Sequence, residues 1–232
     1  MQNQKICLIA ATLLEAEPFI KIFDMKELER KPFSLYEGKD ILLGVAGIGK
    51  ANAAMSTTYC CMKYQPRYVI NTGAAGGVDE GYQVGSIFQI EKAIEPDRPH
   101  LRSNTPWVQV PDTLDGFHNA VLATQDRPIN DAETFRELSA VADLVDMEGA
   151  SVLQAARRFS TKCLLFKFVS DTPQHAGKSL IIENIREHVG PFCEFTSEAV
   201  IPRISEKNVI ISGLKKECPQ LLNSSGGNRR KE

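Results

Sequence analysis

Short apolar runs alternate with longer mixed segments along this chain. Residues 5–10 (KICLIA) are apolar without alternation, as in a strand buried on both faces. Residues 163–169 (CLLFKFV) have the same pattern, and shorter strand-like runs occur at 67–71, 85–90, 120–123 and 142–145. Residues 33–36 and 41–45 flank Gly38-Lys39-Asp40 and predict a hairpin. Between these runs the pattern turns helical. Residues 15–23 predict a helix with Pro18 in its first turn, and 51–64 and 148–159 predict two more. A helix over 180–188 is expected to break or bend at Gly190-Pro191 before a further helical stretch, 192–200. Four prolines in residues 95–117 predict loop, and the glycine-rich stretch 72–77 predicts a turn.

Strands alternating with helices, without an internal repeat, predict a single-domain, three-layer α/β sandwich. Its central sheet is expected to be twisted, mixed and mainly parallel, with flanking helices. The domain is expected to span residues 1–205. Residues 206–232 form a polar tail with too few apolar side chains to offset ordering, and the tail is expected to be partly disordered.

The formal charge of −2 and the scattered basic residues give no electrostatic case for nucleic acid. No apolar run is long enough for a bilayer span or a secretory signal, so a cytoplasmic protein that does not engage the membrane is expected. The six cysteines show no zinc-ligand spacing, and they read as free thiols in a reducing compartment. No metal or cofactor is expected.

Ligands of α/β sheets gather beyond strand C-termini. Here those positions hold Ala11-Thr12-Leu13-Leu14-Glu15, Gly47-Ile48-Gly49-Lys50, residues 71–77 and Ser170-Asp171, with Val145-Asp146-Met147-Glu148 at a strand–helix junction. Glu15, Glu148 and Asp171 each follow an apolar run. Any one of them alone reads as a helix-capping acid. Three acids beside two glycine turns point to a polar site.

Several of these segments carry a family resemblance. Asn71-Thr72-Gly73-Ala74-Ala75-Gly76-Gly77 resembles the glycine-rich signature of methylthioadenosine/S-adenosylhomocysteine nucleosidases, members of the nucleoside phosphorylase superfamily. Val145-Asp146-Met147-Glu148-Gly149-Ala150, Val169-Ser170-Asp171 and Gly47-Ile48-Gly49-Lys50 resemble three further motifs of that family, and Glu15 falls where its N-terminal catalytic glutamate falls. The motifs keep the family order. The resemblance implies hydrolysis of the N-glycosidic bond of a 5′-modified purine nucleoside. Asp171 would protonate N7 of the leaving base, Glu148 would bind the ribose hydroxyls, and Glu15 would activate water. Ile48, Ala75, Gly76, Ile129, Met147, Lys167 and Ser170 would contact substrate. For Ile48, Ala75, Ile129 and Met147 an ordinary core role is equally consistent with the sequence.

The sequence departs from the family at Lys167, where an arginine is usual, at Ala74 for a serine, and at Asp146 for a glutamate. Residues 95–117 lack the aromatic segment that completes the family's 5′ pocket, often across a dimer interface, so the 5′ substituent stays open. Methylthioadenosine, S-adenosylhomocysteine and futalosine or aminodeoxyfutalosine all qualify; the last two would place the chain in menaquinone biosynthesis. Trp107 and His100 are further candidates for that pocket, and His175 for the base. A phosphate-dependent phosphorylase and a catalytically silent nucleoside-binding protein are the alternatives. The glycine turn lacks the phosphorylases' arginine, and an acid at position 15 would repel phosphate, which favours water. The expected partners are a small-molecule nucleoside and a second copy of the chain in a homodimer.

Overall fold

A computed structural model of the chain describes residues 5–99, 105–127, 129, 132–173 and 177–205. The expected tail, 206–232, lies outside the described residues, as do His100 and His175.

Strand β1 (Ile6–Ala10) is buried along its whole length, as its unbroken apolar run predicts. It pairs in parallel with β4 (Ile41–Val45) on one side and β5 (Tyr68–Gly77) on the other. β5 also pairs in parallel with β10 (Lys162–Asp171). These four strands form the parallel centre of a ten-stranded mixed sheet. Beyond β4, the expected hairpin partner β3 (Ser34–Gly38) and a further strand, β2 (Lys26–Glu29), continue antiparallel.

On its other side β10 meets β6 (Ile87–Pro99) antiparallel, and β6 runs parallel to β8 (Asn119–Thr124). β8 is parallel to β9 (Leu144–Asp146), and β9 returns antiparallel to the end of β5. The ring β5–β10–β6–β8–β9 therefore closes into a small barrel, with β1, β4, β3 and β2 as an open arm.

Side-chain alternation divides the core between the two faces. Cys7 and Ile9 of β1 and Cys163 and Leu165 of β10 pack with helices α2 (Lys50–Tyr64) and α4 (Gly149–Arg158). Leu8, Ile70, Phe166 and Phe168 pack with α1 (Leu13–Ile22) and α5 (Lys178–Phe195) on the opposite face. The expected helix–sheet–helix layering follows from this division. A third cluster joins Val78, Ile94 and Ala123 to Leu138 of α3 (Ala132–Ser139). The five described cysteines are free and buried. No described helix is long and apolar enough to cross a membrane.

Four local expectations are corrected. Helix α1 begins at Leu13 because Thr12 and Glu15 form a reciprocal capping box, so Pro18 lies beyond the first turn. Residues 72–77 are the second half of β5, since β10 pairs with them as far as Gly76. Within 95–117, residues 95–99 belong to β6, which pairs antiparallel with β7 (Pro106–Gln109), so cross-strand pairing overrides the local loop signal of the prolines. Helix α5 runs through Gly190-Pro191 without a break. Pro191 is exposed there, so water can reach the carbonyl it leaves unpaired, while Val189, Phe192 and Cys193 stay buried. A π-helical turn (Thr196–Val200) and α6 (Ile201–Ser205) extend the same helix.

Phe166 is fully buried within a triad of aromatic rings, its centroid 5.2 Å from Phe117 and 6.3 Å from Phe195. Phe166→Ala is expected to destabilise the fold by about 3–5 kcal/mol through lost burial and a residual cavity. Urea unfolding would register this as a lower midpoint at unchanged slope.

Candidate active site

The site begins at a fork in the sheet. β1 pairs with β5 only as far as Asn71, and β9 pairs with it only from Gly76. Between them one edge of β5 lacks a strand partner, so its backbone N–H groups need other acceptors. The Ala74 N–H donates to Glu15 Oε1 at 3.0 Å. The other oxygen of Glu15, Oε2, accepts from Thr12 N–H at 2.9 Å and from Thr12 Oγ1 at 2.8 Å. The carboxylate thus lies buried at the fork, held by three donors. Gly73 gives it room: at φ 144°, a Cβ there would sit 2.5 Å from Glu15 Oε1.

Antiparallel pairing of Val145 with Gly76 directs the chain after β9 back along β5, toward Gly73. Glu148 follows, buried, with Oε1 accepting from the Gly49 N–H at 2.8 Å. Gly49 is the N-cap of α2 at φ 99°, in the left-handed region where glycine is unstrained. Asp146 is also buried. Its Oδ1 accepts from Thr124 Oγ1 at 2.6 Å, and its Oδ2 accepts from the Gly149 N–H at 2.7 Å and from Lys167 Nζ at 2.8 Å. Burial raises the Glu148 carboxyl to about 7; Asp146 and then Glu15 add to this, against the opposing pull of Lys167 and the Gly49 N–H. Burial alone would lower the Lys167 ammonium, but Asp146, Glu148 and Glu15 reverse that and leave it raised.

Asp171 ends β10 beside Gly76, where a Cβ would come within 3.0 Å of its Oδ2. Burial raises its carboxyl, against the hydrogen bond that Ser170 Oγ donates to Oδ1 at 2.5 Å. Asn184 of α5 holds this strand end by donating to the Ser170 carbonyl at 2.8 Å.

Of the three acids expected from the sequence, Glu15 therefore lies against Gly73 and Ala74 of β5, Asp171 lies against Gly76, and Glu148 follows the strand that pairs with Gly76, near enough to Glu15 to feel its charge. This provides two carboxyls biased toward protonation and one carboxylate under three donors. Ala75 is buried next to Gly76, and Met147 is half-buried. Ile48 is 57% exposed at the rim. Ile129 packs against the third core cluster, and Lys167 is fully buried in its ion pair. Trp107, 40% exposed on β7, lies under the Arg98 guanidinium, and His118 is exposed on the surface. Sequence reasoning missed Thr12, Thr124 and Asn184. A Thr-x-x-Glu capping pattern at 12–15 was available to find the first. Nothing local marks Thr124 or Asn184, whose partners lie on other elements. Among the described residues no cluster of His, Cys, Asp and Glu is arranged to hold a metal ion.

The family model for the phosphorylase superfamily matches residues 5–116 and 112–200. Over 191 residues the chain is 32% identical to the 5′-methylthioadenosine/S-adenosylhomocysteine nucleosidase of Bacillus subtilis, covering 72% of this chain and 78% of that protein. Among solved structures, the 5′-methylthioadenosine nucleosidase of Arabidopsis thaliana superposes with a TM-score of 0.78 at 21% identity, over 89% of this chain and 98% of that one. The native futalosine hydrolase of Helicobacter pylori gives 0.75 at 18%, over 84% and 96%. At those identities the two structures speak for the fold.

The raised Glu148 carboxyl has a consequence for stability. Protonated and neutral, it is buried at little cost; as pH rises from its unfolded value, near 4.5, through about 7, an uncompensated part of its charge must be buried. Wild type should therefore lose stability relative to Glu148→Gln across that window. Melting curves of both proteins between pH 5 and 8 check this: the gap should widen in favour of the glutamine variant as pH rises, and a constant gap contradicts it.

Proposed function

The chain belongs to the phosphorylase superfamily and is an N-glycosyl hydrolase of its nucleosidase branch, and we propose that Glu15, Glu148 and Asp171 carry the reaction on a 5′-modified purine nucleoside. The nucleosides in question are methylthioadenosine, S-adenosylhomocysteine and those of the futalosine type. The observation that carries this reading is the placing of Glu15 and Asp171 along residues 73–76 with Glu148 within electrostatic reach of Glu15, each in a different setting.

Asp171, biased toward its protonated form by burial, gives its proton to N7 as the bond from C1′ to N9 breaks. The bonding pair leaves with the purine, which departs neutral. Ser170 orients the acid by its hydrogen bond to Oδ1. Glu148 in its anionic form accepts from the ribose hydroxyls and steadies the sugar as positive charge develops. Glu15 takes a proton from the water that adds to C1′. Ala75, Gly76, Met147 and Ile48 line the base and sugar, with Ile129 farther out toward the third cluster. Lys167 acts from behind, through Asp146 and Glu148. Phosphate is disfavoured as nucleophile, because the nearby cation is already paired and the nucleophile's place adjoins a carboxylate.

Asp171→Asn should lower turnover by about 10²–10⁴-fold, with a much smaller effect on KM, because an amide has no proton to transfer. Purine release from methylthioadenosine and from futalosine, each with and without phosphate, checks both substrate and nucleophile. Equal rates for Asp171→Asn and wild type on the preferred nucleoside would overturn the assignment, and a requirement for phosphate would make the chain a phosphorylase.

We further propose a homodimer, resident in the cytoplasm, where its thiols stay reduced. Ile48, Met55 and Met62 recur every seven residues and are 57%, 54% and 65% exposed; on β7, Val108 is 52% exposed. An apolar stripe beside the rim of a site suits an interface that completes the site. Sedimentation at micromolar concentration should give a dimer, and Met55→Glu with Met62→Glu should give monomers. Monomeric wild type would contradict the assembly.

A further inference from the structure

Glu15 is described above as a base, yet it is also the N3 residue of the capping box of α1. These two roles place different demands on its carboxylate. A cap needs one oxygen to accept from the N-cap backbone, whereas a base needs one lone pair kept free and aimed.

An ionised carboxylate has about four lone-pair sites. Oε2 of Glu15 receives two donors, the N–H and the hydroxyl of Thr12. Oε1 receives one, the Ala74 N–H. The remaining acceptor site is on Oε1. The Thr12 hydroxyl has a second task in the same geometry, since Oγ1 accepts from the Glu15 backbone N–H at 3.3 Å. One hydroxyl therefore fixes both ends of the glutamate, its backbone through the cap and its carboxylate through Oε2.

We propose that Thr12 is the positioning residue of the reaction: its hydroxyl locks Oε2 of Glu15 so that Oε1 alone faces the attacking water. This rests on the reading of Glu15 as the base. Thr12 need not touch substrate. It acts by removing the rotamers in which Glu15 would offer the wrong oxygen or swing away from the fork. Loss of a hydrogen bond to a charged group that must be aimed should appear in turnover, because the misaimed base still permits binding.

Three variants test this. Thr12→Gly keeps most of the N-cap's value, since glycine is tolerated there in extended backbone, but removes the hydroxyl. Thr12→Ser keeps the hydroxyl. Glu15→Gln keeps a side chain able to complete the capping box and removes the base. All three are assayed on methylthioadenosine or futalosine, whichever wild type turns over faster, with melting temperatures recorded. The expected result is a fall in kcat of about 10- to 100-fold for Thr12→Gly with KM within about twofold, near-complete recovery in Thr12→Ser, and an inactive Glu15→Gln. Wild-type kcat in Thr12→Gly alongside an inactive Glu15→Gln would overturn the role of Thr12 and leave the base in place. A fall in Thr12→Gly that matches only its loss of folded protein would do the same. Wild-type turnover in Glu15→Gln would overturn the reading of Glu15 itself.

Discussion

One constraint organises the active end of this molecule: β5 changes neighbours partway along its length. It leaves β1 after Asn71 and acquires β9 at Gly76. The barrel can close only because β5 makes this exchange, and the exchange leaves backbone donors without a strand to receive them. Buried amides do not tolerate that state. The fold answers with a carboxylate, Glu15, delivered by the first turn of the helix that follows β1. The site is thus the place where sheet pairing fails and side chains take over its hydrogen bonds.

A second consequence is that charge must be buried. Glu15, Asp146 and Glu148 all lie below 8% exposure within reach of a single ammonium, Lys167. Three acids against one base leave the cluster short of positive charge. Asp146 takes the direct ion pair, supported by Thr124 and by the amide that opens α4. Burial and the nearby Asp146 raise the Glu148 carboxyl, and one backbone amide with a share of the Lys167 field does not offset them. Such pairs contribute little net stability once desolvation is counted, but removing one partner strands the other. Lys167 therefore tunes the site from within the sheet.

Much of this could be read from the chain. The unbroken apolar runs of β1 and β10 announced strands covered on both faces, and the layering follows from them. The three acids were legible because each follows such a run. What local pattern could not supply was partnership across distance. Residues 72–77 look like a turn, since glycines favour turns, but β10 pairs with them and makes them strand. Gly190-Pro191 looks like a break, but the buried face around it holds α5 together. The bond between Glu148 and the Gly49 amide joins residues 99 apart, and no spacing rule encodes it. Thr12 is the opposite case: its pattern is local and simple, and its meaning appears only once the fork is seen.

The capping box also bears on the history of such a chain. Glu15 is held by two kinds of selection, one for folding α1 and one for chemistry. A lineage that abandoned catalysis would still be penalised for most replacements at this position, because the helix would lose its cap and Ala74 its acceptor. Even glutamine satisfies the box only through its one oxygen, and turns an amide nitrogen, itself a donor, to the Ala74 N–H. Descendants that keep the fold as nucleoside binders should therefore retain glutamate at position 15, with Thr12 and Gly73 unchanged beside it, so that a retired enzyme would still carry the acid of a working one.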